Sequence, residues 1–230
     1  MRAGILGGTF DPVHLGHLLL AEQAREALTL DQVILVPAAR PPHKPGRVLT
    51  PFDLRLEMVR LAVGDTEGFA VSGIERDPAC PSWTVETLRR LLAQPDAPQE
   101  TWLLVGADSL DELPTWREPD EIVRLARLAV YPRPGWDAMT SAASLPPAQE
   151  AWRVAGRLVL LDGPRLALSS SEIRERTRQG RSLRFLVPEP VRSFIAAHGL
   201  YRDEAPGDLR GLRTDPAALD GPGPDSTAPW

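Results

Sequence analysis

Lysine and cysteine are almost missing from this sequence of 230 residues, which has one of each. The single cysteine, Cys80, excludes an internal disulfide framework and a cysteine-rich zinc site, and it makes a reducing compartment the simplest setting. The single lysine, Lys44, stands among 25 arginines. One loop therefore keeps a compact ammonium group in a chain whose other cationic side chains are guanidinium groups.

Long apolar runs are missing as well. No run approaches the ~20 residues needed to cross a bilayer, and the opening Met1 to Leu6 has too few apolar residues for a signal peptide. We therefore expect neither export nor membrane insertion, and the cytoplasm is the expected location. The net charge of -5 predicts no general attraction to nucleic acid or anionic lipid, so a local cluster must hold any anionic ligand.

Short apolar runs alternate with stretches of helical periodicity over residues 1–202. The runs predict six strands that are buried on both faces: Arg2–Leu6, Gln32–Ala38, Phe69–Glu75, Thr101–Asp108, Leu128–Tyr131 and Arg157–Asp162. The periodic stretches predict helices at His17–Leu28, Pro51–Val63, Thr84–Ala93, Glu121–Ala126, Ser171–Arg178 and Val191–His198. This alternation predicts a single α/β domain, doubly wound and Rossmann-like, with a mostly parallel sheet.

The composition changes after residue 202. Residues 203–230 contain five prolines, four glycines, six acidic residues and two arginines, and their only aromatic residue is the last one. We expect this acidic tail to be disordered, because it has too few apolar groups to offset the entropy of ordering it. A second stretch rich in proline, serine and alanine, Gly135–Pro147, is expected to be a surface loop.

The stretch GGTFDPVHLGH, residues 7–17, lies between the first predicted strand and the first predicted helix. Ligands of open α/β sheets bind at such junctions. Gly7 and Gly8 let a ligand approach the backbone, and the amides at the start of the helix favour an anion. His14 and His17 can face the same ligand, although the spacing matches neither a Walker loop nor a dinucleotide fingerprint. We interpret the stretch as a phosphate site; a metal site is the alternative, but no cysteine or third histidine has a matching spacing.

Lys44, in the sequence Pro41-Pro42-His43-Lys44, is a second candidate for phosphate binding, because an ammonium group can enter a site where a planar guanidinium does not fit. The alternative is an accident of composition.

The sequence LSSSEIRER, residues 168–176, places Ser169 or Ser170 at a helix start. With Ser171 and Arg174 it could form a second anion site, suited to the outer phosphates of a triphosphate, or be a plain helix cap with solvated arginines.

The end of the fourth predicted strand supplies further candidates. Asp108, after Gly106, could accept hydrogen bonds from the ribose hydroxyls of a nucleotide, or it could cap a helix. Trp116 is either part of the core or a plate on which a flat ring stacks.

Together these segments resemble the nucleotidyltransferase superfamily with the H-x-G-H motif, and within it the bacterial nicotinate-nucleotide adenylyltransferase family. The broad resemblance depends on residues 8–17, GTFDPVHLGH, and the narrower one on the motifs PPHK, SWT, GADSLDELPTW and SSSEIR. The resemblance covers residues 1 to about 202 and does not include the tail. Trp83, the middle residue of Ser82-Trp83-Thr84, departs from the family, which more often has tyrosine there. The resemblance therefore does not determine the shape of the acceptor pocket.

The resemblance implies adenylyl transfer from ATP to nicotinate mononucleotide in NAD biosynthesis, with Mg²⁺ bound mainly through the ATP phosphates. It assigns His14, His17, Lys44 and Arg174 to catalysis. It assigns ATP binding to Gly7, Gly8, Thr9, Phe10, Gly106, Asp108 and Ser169–Ser171, and binding of the pyridine nucleotide to Trp83, Thr84, Asp108 and Trp116. No residue is assigned to a metal.

Two alternatives stay open. One is adenylyl or cytidylyl transfer to another phosphorylated acceptor, such as phosphopantetheine, which would share the H-x-G-H stretch. The other is a nucleotide-binding protein without turnover.

Overall fold

The computed structural model describes residues 1–41, 48–77, 82–131, 145–164 and 166–202. Its strands are β1 (Arg2–Gly8), β2 (Gln32–Pro37), β3 (Phe69–Val71), β4 (Glu100–Gly106), β5 (Arg127–Tyr131) and β6 (Leu158–Leu160). Its helices over these residues are α1 (Leu15–Ala27), α2 (Phe52–Val63), α3 (Thr84–Leu92), α4 (Ala107–Glu112), α5 (Pro119–Leu125), α6 (Pro147–Val154), α7 (Ser170–Arg178) and α8 (Glu189–Ala197). A short 3₁₀ turn, Leu113–Thr115, follows α4.

The six strands form one parallel sheet in the order β3-β2-β1-β4-β5-β6. Strand β1 lies in the middle, where Ile5 is in register with Ile34 of β2 and Leu103 of β4. The strand order reverses between β1 and β4, so the loops that follow these two strands diverge. A crevice opens between such loops, and it is where ligands bind in this class of sheet.

Helices cover both faces of the sheet, and each face has its own apolar cluster. Neighbouring residues of one strand contribute to opposite clusters: Leu6 and Leu104 pack on one face, and Ile5 and Leu103 on the other. Burial on both faces explains why the strands are continuous apolar runs rather than alternating patterns. The doubly wound α/β fold predicted from the sequence is confirmed.

Several boundaries differ from the prediction. The fourth strand ends at Gly106, two residues early, and Asp108 lies in the first turn of α4. Helix α1 begins at Leu15, with His14 as its N-cap. Helix α6 begins at Pro147, where the sequence predicted a loop, because a proline is compatible with the first turn of a helix. Residues 135–144 of that loop and the tail, 203–230, lie outside the described residues. In the parts that the structure describes, no helix is long and apolar enough to cross a membrane.

The last buried residue in the described part of the chain gives a test of the domain boundary. Leu200, 4% exposed, packs in the same cluster as α8, and residues 203–230 follow it. We expect a chain that ends after Arg202 to unfold within about 0.5 kcal/mol of the full chain in urea, because the deleted segment should bury little apolar surface. A chain that ends after His198 is the contrast: loss of the Leu200 side chain should cost about 2 to 3 kcal/mol. Equal losses for both truncations would show that the tail packs on the domain.

Candidate active site

A cavity of about 500 Å³ opens at the carboxyl ends of β1, β2 and β4. It lies at the reversal of strand order, and its volume suits a small-molecule ligand. Nine of the residues assigned to a ligand site from the sequence line it: Gly7, Gly8, Thr9, His17, Trp83, Thr84, Gly106, Asp108 and Trp116. The fold therefore brings segments that are up to 109 positions apart into one cavity.

The two histidines of the β1–α1 loop stack on each other, with ring centroids 3.6 Å apart. The backbone amide of His14 donates to Nδ1 of His17 at 3.2 Å. Because Nδ1 accepts, a neutral His17 carries its proton on Nε2, which is then a donor. Gly16 is required by this stacking: a Cβ there would lie 3.0 Å from Nδ1 of His14.

Phe10 contributes an aromatic ring to the same loop. Its ring is buried and meets the His17 ring edge-on, with centroids 4.9 Å apart. Its φ of +47° is in the left-handed region, which is unfavourable for a phenylalanine. A Cβ at Gly8 would come within 3.0 Å of the Phe10 ring. Gly8 is thus needed for the packing of Phe10, whereas Gly7 has open space at its Cβ position and leaves room for a ligand.

His14 is only 5% exposed, and burial lowers its pKa from 6.5 to about 4. Its Nδ1 makes no hydrogen bond to the described residues. Desolvation thus favours the neutral imidazole at His14 in the chain without a ligand. Its assignment to catalysis stays a prediction.

The start of α7 packs against the β1–α1 loop. The Ser169 side chain caps the helix by accepting from the amide of Glu172 at 3.1 Å. The Ser170 hydroxyl donates to the carbonyl of Pro12 at 2.9 Å, and Arg174 donates to the carbonyl of Asp11 at 2.5 Å. The two motifs predicted to bind anions are thus adjacent in space, although Ser169–Ser171, Arg174, His14 and Phe10 lie outside the lining of the cavity.

The opposite wall of the cavity is the start of α3. Trp83 is the N-cap of this helix and has no side-chain capping hydrogen bond, and Ser82, Trp83 and Thr84 all line the cavity. The amide of Arg40 donates to the Ser82 hydroxyl at 2.9 Å, which ties this wall to the segment after β2. The first-turn amides of α3 thus give the cavity a second helix N-terminus.

Lys44 and His43 lie outside the described residues. Pro41, the last described residue before them, lines the cavity. Asp108 lines the cavity as well, and a Cβ at Gly106 would lie 2.6 Å from its Oδ1. The absence of a side chain at Gly106 therefore leaves room for the Asp108 carboxylate.

In the described parts of the chain, no group of three or more histidine, cysteine, aspartate or glutamate side chains could hold a metal ion.

Sequence reasoning gave no role to three buried charged residues: Asp11, Arg55 and Glu75. Arg55 is 1% exposed and donates to the carbonyls of Thr9 (2.6 Å), Ala38 (2.8 Å) and Thr50 (2.8 Å). Glu75 accepts from the Thr87 hydroxyl at 2.5 Å and from the amide of residue 39 at 3.3 Å. The position of Arg55 on the apolar face of α2, between Leu54 and Leu56, was a signal that could have revealed it.

Comparison with known proteins gives consistent results. Residues 5–176 match the cytidylyltransferase-like family. The chain is 46% identical over 200 residues to the probable nicotinate-nucleotide adenylyltransferase of Roseiflexus sp. (strain RS-1), covering 86% of this chain and 97% of the relative. It is 44% identical over 205 residues to a protein of the same name from Thermus thermophilus, covering 88% of this chain and 100% of the relative.

Among solved structures, the fold is similar to that of Plasmodium falciparum nicotinic acid mononucleotide adenylyltransferase complexed with NaAD. The TM-score is 0.68 at 17% sequence identity, over 87% of this chain and 97% of that chain.

The burial of His14 predicts a specific dependence of stability on pH. The unfolded chain binds a proton at His14 near pH 6.5, whereas the folded chain does so only near pH 4. Stability from this group is therefore complete above about pH 6.5 and is lost as the pH falls towards 4, by up to about 3 kcal/mol. We expect the stability difference between wild type and His14→Gln to shrink by this amount between pH 7 and pH 4, measured by urea unfolding. A difference that does not change with pH would contradict a buried neutral imidazole.

Proposed function

The chain belongs to the cytidylyltransferase-like family and, within it, to the nicotinate-nucleotide adenylyltransferases, and we propose that it transfers the adenylyl group of ATP to nicotinate mononucleotide, releasing pyrophosphate. The observation that supports this most is the cavity itself, which has the H-x-G-H loop on one wall and the start of α3 with Trp83 on the other. These walls offer separate places for a triphosphate and for a flat ring.

We propose that the phosphates of ATP lie along Gly7, Gly8 and Thr9 at the start of α1, where glycine backbone and helix amides accept an anion. Asp108 accepts hydrogen bonds from a ribose hydroxyl. The hydroxyls of Ser169–Ser171 and the guanidinium of Arg174 lie beside this loop and are proposed to bind the outer phosphates, together with Lys44.

The reaction needs no general base, because the phosphate of the mononucleotide is largely a dianion near neutral pH. One of its oxygens attacks the α-phosphorus of ATP, the bond to the bridging oxygen breaks, and pyrophosphate leaves with the electron pair. The enzyme contributes placement and stabilisation of the charge that develops. The Nε2–H of His17 is proposed as a donor to that charge, since its Nδ1 is occupied by the His14 amide.

The acceptor ring is proposed to stack on Trp116, with Trp83 and Thr84 beside it. A carboxylate on the ring only accepts hydrogen bonds, so it is a good partner for the backbone N–H groups at the start of α3. A carboxamide is a poorer partner, because its own N–H groups would face these donors. Mg²⁺ would neutralise charge on the triphosphate. Because no carboxylate cluster is present among the described residues, we propose that phosphate oxygens and water hold this ion.

We propose that the protein works in the cytoplasm, in NAD biosynthesis, on two small molecules. This function needs neither nucleic acid nor a membrane as a partner.

Removal of the His17 imidazole tests the role of the loop. We expect His17→Ala to lower kcat by about 100- to 1000-fold, the usual cost of losing a donor to transition-state charge, and this loss should be larger than its effect on the free energy of unfolding. The matched control is His198→Ala, at the end of α8, whose ring stacks on Phe194 away from the cavity. It should keep wild-type turnover. Near-normal turnover of His17→Ala in a pyrophosphate-release assay would exclude the proposed role.

The choice of acceptor tests the function as a whole. With ATP and a panel of nicotinate mononucleotide, nicotinamide mononucleotide and phosphopantetheine, we expect kcat/KM to be highest for the nicotinate form. It should exceed the nicotinamide form by at least about 100-fold, or roughly 2.7 kcal/mol. Trp116→Ala should raise KM for both pyridine nucleotides and keep most of the ratio, because stacking does not sense the charge of the substituent.

Preference for phosphopantetheine would indicate a different transferase. Release of no pyrophosphate with any acceptor would indicate a binding protein. A ratio that collapses in Trp116→Ala would assign the discrimination to the indole rather than to α3.

A further inference from the structure

The last described turn of the chain returns to the H-x-G-H loop. Tyr201 donates its hydroxyl to Oδ1 of Asp11 at 2.7 Å, across 190 positions of sequence. Asp11 is 4% exposed, and its Oδ2 accepts from the amide of Thr50 at 3.4 Å. Both carboxylate oxygens are therefore engaged in contacts that hold the loop rather than in contacts with the cavity, whose lining does not include Asp11.

Asp11 is also held through its main chain, because its carbonyl accepts from Arg174 at 2.5 Å. It stands between Phe10, whose φ is +47°, and the segment that ends in His14. A backbone in the left-handed region at phenylalanine persists only where its surroundings hold it. The contacts of Asp11 thus join the loop to the start of α2, to α7 and to the C-terminal turn.

The charges around Tyr201 keep its hydroxyl a donor. Burial, and then the negative charge of Asp11, raise the pKa of Tyr201 far above its usual value, although the Arg55 guanidinium and a hydrogen bond with Thr50 act in the opposite direction. The phenol is therefore protonated near neutral pH and can donate. The negative charge of Asp11 also favours the charged form of the Arg55 guanidinium. The hydrogen bond from Tyr201 to Asp11 is thus part of a buried polar network.

We propose that Tyr201 is a positioning residue for adenylyl transfer: its hydrogen bond to Asp11 fixes the loop that places His14 and His17. The effect on the reaction rests on the proposed function, whereas the effect on loop order does not.

Tyr201→Phe tests this, because it removes one hydroxyl and keeps the ring. We expect kcat to fall by about 10- to 100-fold with KM for ATP changed by less than about threefold, since a misplaced loop affects the transition state more than the bound substrate. Amide hydrogen exchange of peptides that cover residues 9–18 should become faster. The matched control is Leu200→Ala, because Leu200 is the preceding residue, is 4% exposed and packs in the apolar core without a polar group. It should lower the melting temperature with kcat and loop exchange within about twofold of wild type.

A double variant tests whether Tyr201 and Asp11 act as a pair. If the two side chains act as a unit, Tyr201→Phe should cost little more in kcat when Asp11 is already Asn. Fully additive losses would overturn the proposal, as would unchanged loop exchange in Tyr201→Phe or an equal loss of kcat in Leu200→Ala. If the wild type transfers no adenylyl group to nicotinate mononucleotide while Tyr201→Phe still accelerates exchange of the loop, the proposed function fails and the positioning of the loop by Tyr201 is supported.

Discussion

The buried guanidinium of Arg55 is the interaction on which the cavity depends most. A cation that is 1% exposed loses the hydration of its five N–H groups, and burial lowers its pKa, so it has to be satisfied by the protein. Its partners are carbonyls of three separate segments: the loop after β1 (Thr9), the segment after β2 (Ala38) and the residue before α2 (Thr50). The Ala38 amide also donates to the carbonyl of Gly8 at 2.8 Å, and Arg55 adds contacts that join both segments to the start of α2. One donor group therefore fixes the relative positions of the backbone on one side of the cavity.

The structure gives the glycines of the H-x-G-H stretch different roles. From the sequence, Gly7 and Gly8 were interpreted together as room for a ligand. In the structure only Gly7 has open space around its Cβ position, while Gly8 is required by the ring of Phe10 and Gly16 by the ring of His14. The motif is thus partly a packing motif: two buried rings occupy the volume that side chains at these positions would need. The loop owes its shape to these rings as much as to the ligand it is proposed to bind.

The sequence predicted the sheet well because a parallel strand buried on both faces is a local signal, visible in four to eight consecutive residues. It also predicted that the H-x-G-H loop and Asp108 lie at one edge of the sheet, since that edge follows from strand direction alone. Trp83 and Trp116 were assigned to the same site only through the family resemblance, and they line the same cavity. The contacts of Tyr201 with Asp11 and of Arg174 with the Asp11 carbonyl were not predictable in this way. They join residues 190 and 163 positions apart, and no periodic pattern relates a tyrosine after α8 to an aspartate in the first loop. The assignments of Lys44 and of the tail concern residues outside the described part of the chain.

The electrostatics of the described site favour a ligand that brings its own counterion. His14 is neutral near pH 7, and both Arg55 and Arg174 direct N–H groups to backbone carbonyls. Much of the attraction for phosphate must then come from uncharged donors: the amides of the loop, the starts of α1 and α3, and the hydroxyls at the start of α7. These donors have fixed directions, and no bound counterion has to be removed from them before the reaction. A phosphate that is already partly neutralised by a cation suits them better than a bare tetra-anion, because the cost of desolvating an anion rises with the square of its charge, whereas its attraction to fixed dipoles rises only in proportion to the charge. The magnesium complex of a triphosphate, the substrate form proposed above, would meet that requirement in a domain whose acidic and basic residues nearly balance.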